Sequence, residues 1–565
     1  MLVDLLTKQG EELLASNETP WPVYPRPQMR RDSYVNLNGM WDFSAAERTE
    51  QNTICVPFCP ESRLSRVGRH FQEGEELTYH RNFTLPEGFI RGRVLLHFGA
   101  VDQEAVVFVN QKEVGRHCGG YESFSFDITH ALQEENELVV VCRDSLHNRA
   151  YPYGKQTLNR GGMWYTPVSG IWQTVWLESV PENYIHNLHI ENRGFGVTIS
   201  IEPKLAGKVI VPGLGEYALA DGCVTITPEN PNLWSPENPY LYDFFVETEE
   251  DRVESYFAIR SLEVKKIGEY PRLCLNGKPY FFHGLLDQGY WPDGIFTPAK
   301  PECYAEDILA MKRLGFTMLR KHIKVEPEEF YYQCDRLGMI VFQDMVNNGK
   351  YRFMRDTGLP TVARFSQRMP DRRLNTDPTN RALFLMGMEA SVSQLKNHPC
   401  ICCWTIFNEG WGQFDSDRVY EIFRKLDDTR FIDTTSGWFR RKKTDVDSRH
   451  VYFRKVKLKG DGKKPLVLSE FGGKTYRADG HVFNPDKSYG YGGCDSLKAL
   501  NEAVARLYLE EVLPCIEKGL CAAVYTQVSD VEDEINGLLT YDRKVCKLDE
   551  ETMLPIAEAL QNAIK

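Results

Sequence analysis

The alternation of hydrophobic and polar positions along this chain changes its period near residue 265. From Tyr34 to about Glu178 apolar and polar residues alternate in short runs such as RVLLHFGAVDQEAVVFVNQKEVG and NELVVVCRD, divided by Gly, Asn and Pro turns. No helical period interrupts them, so residues 1–180 are expected to fold as an antiparallel β-sandwich. A second strand-rich segment, 181–264, carries VTISIEP, KVIVPG, CVTITPE and YDFFVETEE and has the size of an immunoglobulin-like sandwich.

Beyond about Lys265 helical and strand periods alternate. PECYAEDILAMKRLGFTMLRKH places Ile308, Leu309, Met311 and Leu314 at helical spacing, sets Gly315 just past the helix end, and passes into a short apolar strand. VEPEEFYYQCDRLGMIVFQDM repeats the plan, with Pro327 near the helix start and Gly338 before the strand. In both, a polar residue stands five places after the glycine: Arg320 in one, Gln343 in the other. Further helices are expected over about 381–396, 416–427, 497–517 and 553–563. Strands are expected near 280–284, 401–407, 431–435, 449–453 and 465–469 and at LCAAVYTQV. Eight strands alternating with helices over residues 265–565 predict a (β/α)8 TIM barrel whose fifth crossover is short.

Charge narrows the class. A net charge of -12 with no dense Lys/Arg patch argues against a nucleic-acid or anionic-membrane surface, and Arg440-Arg441-Lys442-Lys443 reads as solvated loop charge. No stretch supplies the ~20 apolar residues of a membrane span. The start, MLVDLLTKQGEELLA, carries Asp4, Glu11 and Glu12 where a signal peptide needs an unbroken apolar core. The 15 cysteines are scattered and read as reduced thiols, so a cytoplasmic protein is expected. Cys400, Cys402 and Cys403 lack a second ligand pair for a metal and fit a buried strand.

In a barrel of this kind the site lies at the C-terminal strand ends, so the candidates are the polar residues that end each apolar run. They are His283 and Asp287-Gln288 for the first strand, Arg320 and His322 for the second, and Gln343-Asp344 for the third. Asn408-Glu409 end the fourth, Ser436 and Trp438 the fifth, His450 and Tyr452 the sixth and Glu470 the seventh. Tyr525, Gln527 and Asp530 lie on or after the eighth. Only Glu409 and Glu470 are glutamates directly at the end of strongly apolar strands, CICCWTIFN and PLVLS. Two carboxylates facing each other across a pocket are the equipment of glycoside hydrolysis, one protonating the leaving oxygen and the other attacking the anomeric carbon or activating water. An apolar wall such as Trp411 would keep an acid protonated, and Arg320 with the Tyr452 hydroxyl would keep a nucleophile ionised. Singly, a strand-end glutamate caps a loop and a buried histidine sits satisfied in a core; the combination carries the reading.

At these residues the chain resembles glycoside hydrolase family 2, the family of β-galactosidases, β-glucuronidases and β-mannosidases. YPRPQMRRDSYVNLNGMWDF and GGMWYTPVSGIWQTVWLE resemble its sugar-binding jelly-roll domain, the segment up to residue 264 its immunoglobulin-like sandwich, and the rest its barrel. The resemblance implies that Glu409, in the Asn408-Glu409 pair, is the general acid/base and that Glu470, in LSEFGG, is the nucleophile. It implies further that Asn408 bonds the sugar 2-hydroxyl and that Arg320 is the family's strand-two arginine. The implied reaction is exo-acting hydrolysis of a terminal β-linked sugar with retention, on a carbohydrate substrate and without cofactor or metal. Asp287, Gln288, His283, His322, Asp344, His450, Trp411, Trp438, Tyr452 and Gln527 are expected to bind or support the substrate.

Departures bear on the sugar. The strand-eight loop VEDEINGLLTYDRKVCK lacks a clear copy of the Asn-x-Lys element by which the family's glucuronidases read a carboxylate, and Lys474 is an alternative cation. HGLLDQGYWPDG replaces the Arg-His-Glu type of motif of many members, and Gln343-Asp344 resembles the mannosidase branch. A β-galactosidase-like enzyme is the first expectation, with β-glucuronidase, β-mannosidase and α-L-arabinosidase as alternatives. A non-catalytic carbohydrate-binding protein is the rival from another class. The flat β-domain faces are compatible with a homo-oligomer, although the sequence marks no interface.

Overall fold

The computed structural model describes residues 2–45, 52–362 and 369–565. Four antiparallel strands, in spatial order Tyr34–Asn36, Val175–Val180, Arg93–Phe98 and Phe124–Asp127, belong to the first sandwich. Its other sheet has six, in the order Asn52–Val56, Gly39–Ala45, Leu77–Phe83, Asn136–Arg143, Glu104–Val109 and Lys112–Cys118. Alternation produces the core directly: every second residue of Asn136–Arg143 is buried, and Trp41, Phe43, Leu96, Val107 and Val140 from both sheets share one cluster. A second sandwich pairs a three-stranded sheet, Asn187–Arg193, Gly196–Glu202 and Cys223–Ile226, with a four-stranded one, Gly215–Leu219, Gly207–Val211, Tyr242–Thr248 and Arg252–Phe257. Ile190, Ile199, Val209 and Phe244 fill it. A ribbon of Leu262–Ile267, Tyr270–Leu275 and Lys278–Pro279 then caps the bottom of the barrel, where Arg272 Nη1 donates to the Leu520 carbonyl at 3.0 Å.

The barrel strands are β1 (Phe282–Asp287), β2 (Met318–Lys321), β3 (Ile340–Asp344), β4 (Ile401–Asn408), β5 (Phe431–Ser436), β6 (Asp447–Val451), β7 (Leu466–Phe471) and β8 (Leu520–Thr526). All are parallel, in the order β5-β4-β3-β2-β1-β8-β7-β6, and among the described residues no ladder of hydrogen bonds joins β5 to β6. Every residue of β4 is buried, because side chains fill the inside of a barrel and helices cover its outside. The helices Glu302–Arg313 and Glu328–Leu337 end where the spacing predicted, with Gly315 and Gly338 at φ of +81° and +73°. A β-carbon on Gly315 would stand 2.5 Å from Ala557 Cβ.

The expected short fifth crossover is present, and the sixth also lacks a helix: residues 437–446 and 452–465 connect β5, β6 and β7 as loops. Neither RKKTDV nor RKVKLKGDGKK offers an apolar stripe at helical spacing, so nothing would hold a helix against the strands there. All 15 cysteines are free thiols, and among the described residues no helix is long and apolar enough to cross a membrane.

One excursion from the first sandwich positions the site. Residues 151–169 run over the C-terminal face of the barrel and are clamped on two sides. The Tyr153 and Gly154 N–H groups donate to the Asn347 carbonyl at 3.1 and 3.2 Å, and the Tyr153 hydroxyl donates to the Gly349 carbonyl at 2.8 Å. On the other side Tyr165 donates to Glu534 Oε2 at 2.5 Å, and the Thr166 N–H to Glu532 Oε1 at 2.8 Å.

Candidate active site

The strand ends converge on a cavity of about 420 Å³. Glu409, the first residue past β4, donates its N–H to the Ser436 carbonyl of β5 at 3.0 Å and has a φ of +53°. That left-handed conformation costs a residue with a β-carbon about 1–2 kcal/mol, and such strain collects at functional sites. Gly410 and Gly412 follow at +76° and +71°, so the chain turns at once. The turn leaves the Glu409 carboxylate in the cavity and carries Trp411 behind it. There the Trp411 Nε1 donates to the Gly349 carbonyl at 3.0 Å and its ring packs on Tyr153, Trp164 and Tyr351.

Glu470, in β7, is held from two sides. Arg320 Nη1 donates to Oε1 and the Tyr452 hydroxyl to Oε2, both at 3.0 Å. His450 sits between the carboxylates, with Nδ1 2.9 Å from Glu409 Oε1 and 3.4 Å from Glu470 Oε2. One side-chain atom from each of Glu409, His450 and Glu470 lies within 4.8 Å of the other two. Beneath them Arg320, only 1% exposed, joins four groups. It donates to Asp344 Oδ1 at 2.9 Å, to the Ser469 carbonyl at 3.1 Å, to Glu470, and to Asn408 Oδ1 at 2.9 Å. The last bond orients the Asn408 amide and leaves its Nδ2 as the donor for anything in the cavity.

Burial raises the Glu409 carboxyl above its ordinary value, against the pull of Lys155 and Arg320. It raises Glu470 as well; there His450 and Arg320 oppose the shift while the charge of Glu409 adds to it. The sequence expectation that Arg320 and Tyr452 hold Glu470 ionised is met in contacts, yet desolvation outweighs them in direction. Burial pushes His450 down to about 4, so the imidazole is neutral near pH 7 and meets Glu409 through a hydrogen bond and not as an ion pair. Burial opposes ionisation of Asp344 too, but Arg320 and His322, whose Nδ1 is 2.7 Å from Oδ2, bring it below its usual value.

Of the residues expected from sequence, Gln288, His322, Asn408, Glu409, Trp438, Tyr452 and Glu470 line the cavity, and Arg320, Asp344 and His450 stand against them. Four others do not reach it. His283 faces outward, packed against Phe316 and edge-on to Tyr508, with Nδ1 3.0 Å from the Gly315 carbonyl; burial holds it at about 4. Asp287 is captured by Lys321 at 2.7 Å, Gln527 donates to Asn536 Oδ1 at 2.9 Å, and Trp411 is turned away as described. Lys474, the alternative cation, does not line the cavity but an adjoining groove that shares Tyr452, Phe453, Arg454 and Tyr491 with it.

Several cavity residues carry no sequence signal. Lys155 and Met163 arrive from the 151–169 excursion, Phe353, Thr357 and Thr361 follow β3, Tyr489 and Tyr491 follow β7, and Glu534 follows β8. The Lys155 ammonium lies 5.6 Å over the Trp164 ring and has no ion pair or hydrogen bond among the described residues. Glu409, His450 and Glu470 are the one trio with metal-ligand spacing among those residues. Both Glu470 oxygens already accept from Arg320 and Tyr452, so the trio is compensated by protein groups.

Three family models match in succession: "Glycosyl hydrolases family 2, sugar binding domain" over 68–181, "Glycosyl hydrolases family 2" over 183–260, and "Glycosyl hydrolases family 2, TIM barrel domain" over 266–490. A β-galactosidase of Thermoanaerobacter pseudethanolicus is 26% identical over 449 residues, which are 73% of this chain and 54% of that protein. The β-glucuronidase of Felis catus is 24% identical over 68% of this chain and 65% of its own length. The chain spans about half the length of the first curated relatives it matches. Among solved structures, a β-D-glucuronidase of Dictyoglomus thermophilum superposes with a TM-score of 0.73 at 19% identity, covering 95% of this chain and 98% of that one. A β-galacturonidase of Eisenbergiella tayi bound to galacturonate gives 0.68 at 18%, covering 96% and 99%. These two likenesses speak for the fold: a jelly-roll sandwich, an immunoglobulin-like sandwich and a TIM barrel. Since the family models follow one another along well over half of the sequence and in the order of the observed sheets, this chain belongs to glycoside hydrolase family 2.

Proposed function

We propose that the protein is an exo-acting β-glycosidase that removes a terminal non-reducing sugar with retention, Glu470 being the nucleophile and Glu409 the acid/base. The supporting observation is the spacing of the two carboxylates, with oxygens inside 4.8 Å of each other. Retaining enzymes hold their carboxyl groups about 5–5.5 Å apart, whereas inverting enzymes leave about 6.5–9.5 Å for a water. Glu409, whose carboxyl burial raises above its ordinary value, gives its proton to the glycosidic oxygen as Glu470 attacks the anomeric carbon and the bond to the leaving group breaks. A glycosyl ester of Glu470 results. Glu409, now a carboxylate, takes a proton from water, whose oxygen displaces Glu470 and restores both groups. Arg320 and Tyr452 steady the Glu470 oxygens through this cycle, and the Asn408 Nδ2 is placed to bond the sugar 2-hydroxyl.

For the sugar, likeness to the Thermoanaerobacter β-galactosidase supports a galactoside. A β-uronide is the second reading, favoured by the Lys155 ammonium that lines the cavity without an anionic partner among the described residues. The test is turnover of 4-nitrophenyl β-galactoside, glucuronide, galacturonide, mannoside and glucoside and α-L-arabinosides. Binding of a sugar with no turnover across this panel would refute the hydrolase reading in favour of a carbohydrate-binding protein.

A further inference from the structure

The two crossovers without helices flank the outer side of β6, and a groove of about 620 Å³ lies between them. Arg440 and Arg441 from the first crossover, Arg449 of β6, and Arg454, Lys457 and Lys459 from the second line it. Strand alternation explains Arg449: its neighbour His450 points inward to the carboxylates, so Arg449 points out. Asp447 is shared by Arg440 at 2.7 Å and Arg449 at 2.6 Å, and Asp371 takes Arg441 at 3.3 Å. Lys457 and Lys459 have no ion pair among the described residues, and Arg449 Nε is buried without a hydrogen-bond partner. In a chain of net charge -12 this groove is a local reversal of sign.

The groove opens onto the catalytic cavity, with Trp438 and Arg454 lining both. On the cavity wall beside Arg454, Phe453 is 78% exposed, has a φ of +57°, and sets its ring against Tyr491 at 5.2 Å. A substrate whose terminal sugar fills the cavity has a way past Trp438 and Arg454 into a basic channel. Aromatic faces stack on the apolar faces of sugars, and guanidinium forks pair with carboxylate and sulfate. We infer that the groove receives the leaving part of the substrate, and that this part is an acidic oligosaccharide carrying carboxylate or sulfate groups. The inference rests on the glycosidase reading above. Arg440 and Arg441, read from the sequence as solvated loop charge, stand on the 437–446 loop and also line this groove.

The test uses glycosides of the sugar the panel identifies, with disaccharide leaving groups of equal length that are neutral, uronate-bearing or sulfated. The native protein and the variant Lys457→Gln/Lys459→Gln are compared. Losing two exposed charge contacts is worth up to about tenfold in kcat/KM. The acidic leaving groups should be preferred by the native protein, the preference should fall by that factor in the variant and in high salt, and the nitrophenyl glycoside should react unchanged. Whichever of the uronate and sulfate arms responds identifies the anion. Equal kcat/KM for acidic and neutral leaving groups in the native protein overturns the inference. So does weaker heparin retention of the variant with an unaltered substrate ratio, because the groove would then bind anions without serving the reaction. Failure of every nitrophenyl glycoside would instead overturn the hydrolase reading and this inference with it.

Discussion

Replacing Arg320 tests whether the floor of the site is an electrostatic device or mere packing. In Arg320→Met the guanidinium disappears from between Asp344 and Glu470, which are 1% and 5% exposed, and Asn408 loses the bond that orients it. Removing one partner of a buried ion pair costs about 3–5 kcal/mol, a large part of the ~5–15 kcal/mol that holds a domain folded. Two carboxylates lose their cation here, and protonation of one of them limits the cost. Arg320→Lys keeps the charge, but one ammonium cannot reach acceptors on β3, β4 and β7 at once. Hydrogen bonds to charged groups are worth about 1.5–3 kcal/mol each, so losing one or two predicts about 2–4 kcal/mol. The sign for activity follows from Arg320 lowering the Glu470 pKa. Without it Glu470, the proposed nucleophile, protonates at higher pH, so the acid limb of kcat/KM moves upward. Thermal denaturation and the pH profile on the panel substrate measure both effects. A lysine variant that melts like the native protein and keeps its acid limb would refute the reasoning.

Three further outcomes are expected. Glu470→Gln should fail to form the covalent intermediate, read as absence of the mass increment that a 2-deoxy-2-fluoro glycoside adds to the native protein. Glu409→Gln should slow alkyl glycosides by about 10²–10⁴, the usual worth of general acid catalysis, and dinitrophenyl glycosides far less, read as separate kcat/KM values. Lys155→Met removes a cation that lowers both Glu409 and Glu470, so both limbs of the kcat/KM profile should move to higher pH. If the uronide reading holds, the same variant should also lose uronide turnover selectively.

What the sequence disclosed follows the reach of periodicity. The barrel strands were legible because runs such as CICCWTIFN are buried on both faces, and Asn408, Glu409 and Glu470 because they break those runs. Arg320 followed from its distance to Gly315. Which way a strand-end residue faces was not legible. His283 and His450 look alike in sequence, yet one is turned to Phe316 and Tyr508 and the other to the two carboxylates. Trp411 was misplaced because the reading allowed for no turn at Gly410 and Gly412. Asp287 was misread because its captor, Lys321, sits on the neighbouring strand. Lys155 and Met163 lay beyond any local pattern: they reach the cavity only through the docking of the 151–169 excursion, more than two hundred residues before Glu409 in the chain.

The backbone of Glu409 sets folding and chemistry at odds. Its positive φ suits glycine or asparagine, and its side chain is a desolvated carboxyl group to which the proposed reaction gives a proton transfer. Exchange for glycine removes both liabilities, so a library of variants ranked by heat resistance alone should enrich Glu409→Gly while a library ranked by turnover discards it. Tolerance at that one codon thus separates what the protein needs in order to stand from what it needs in order to act.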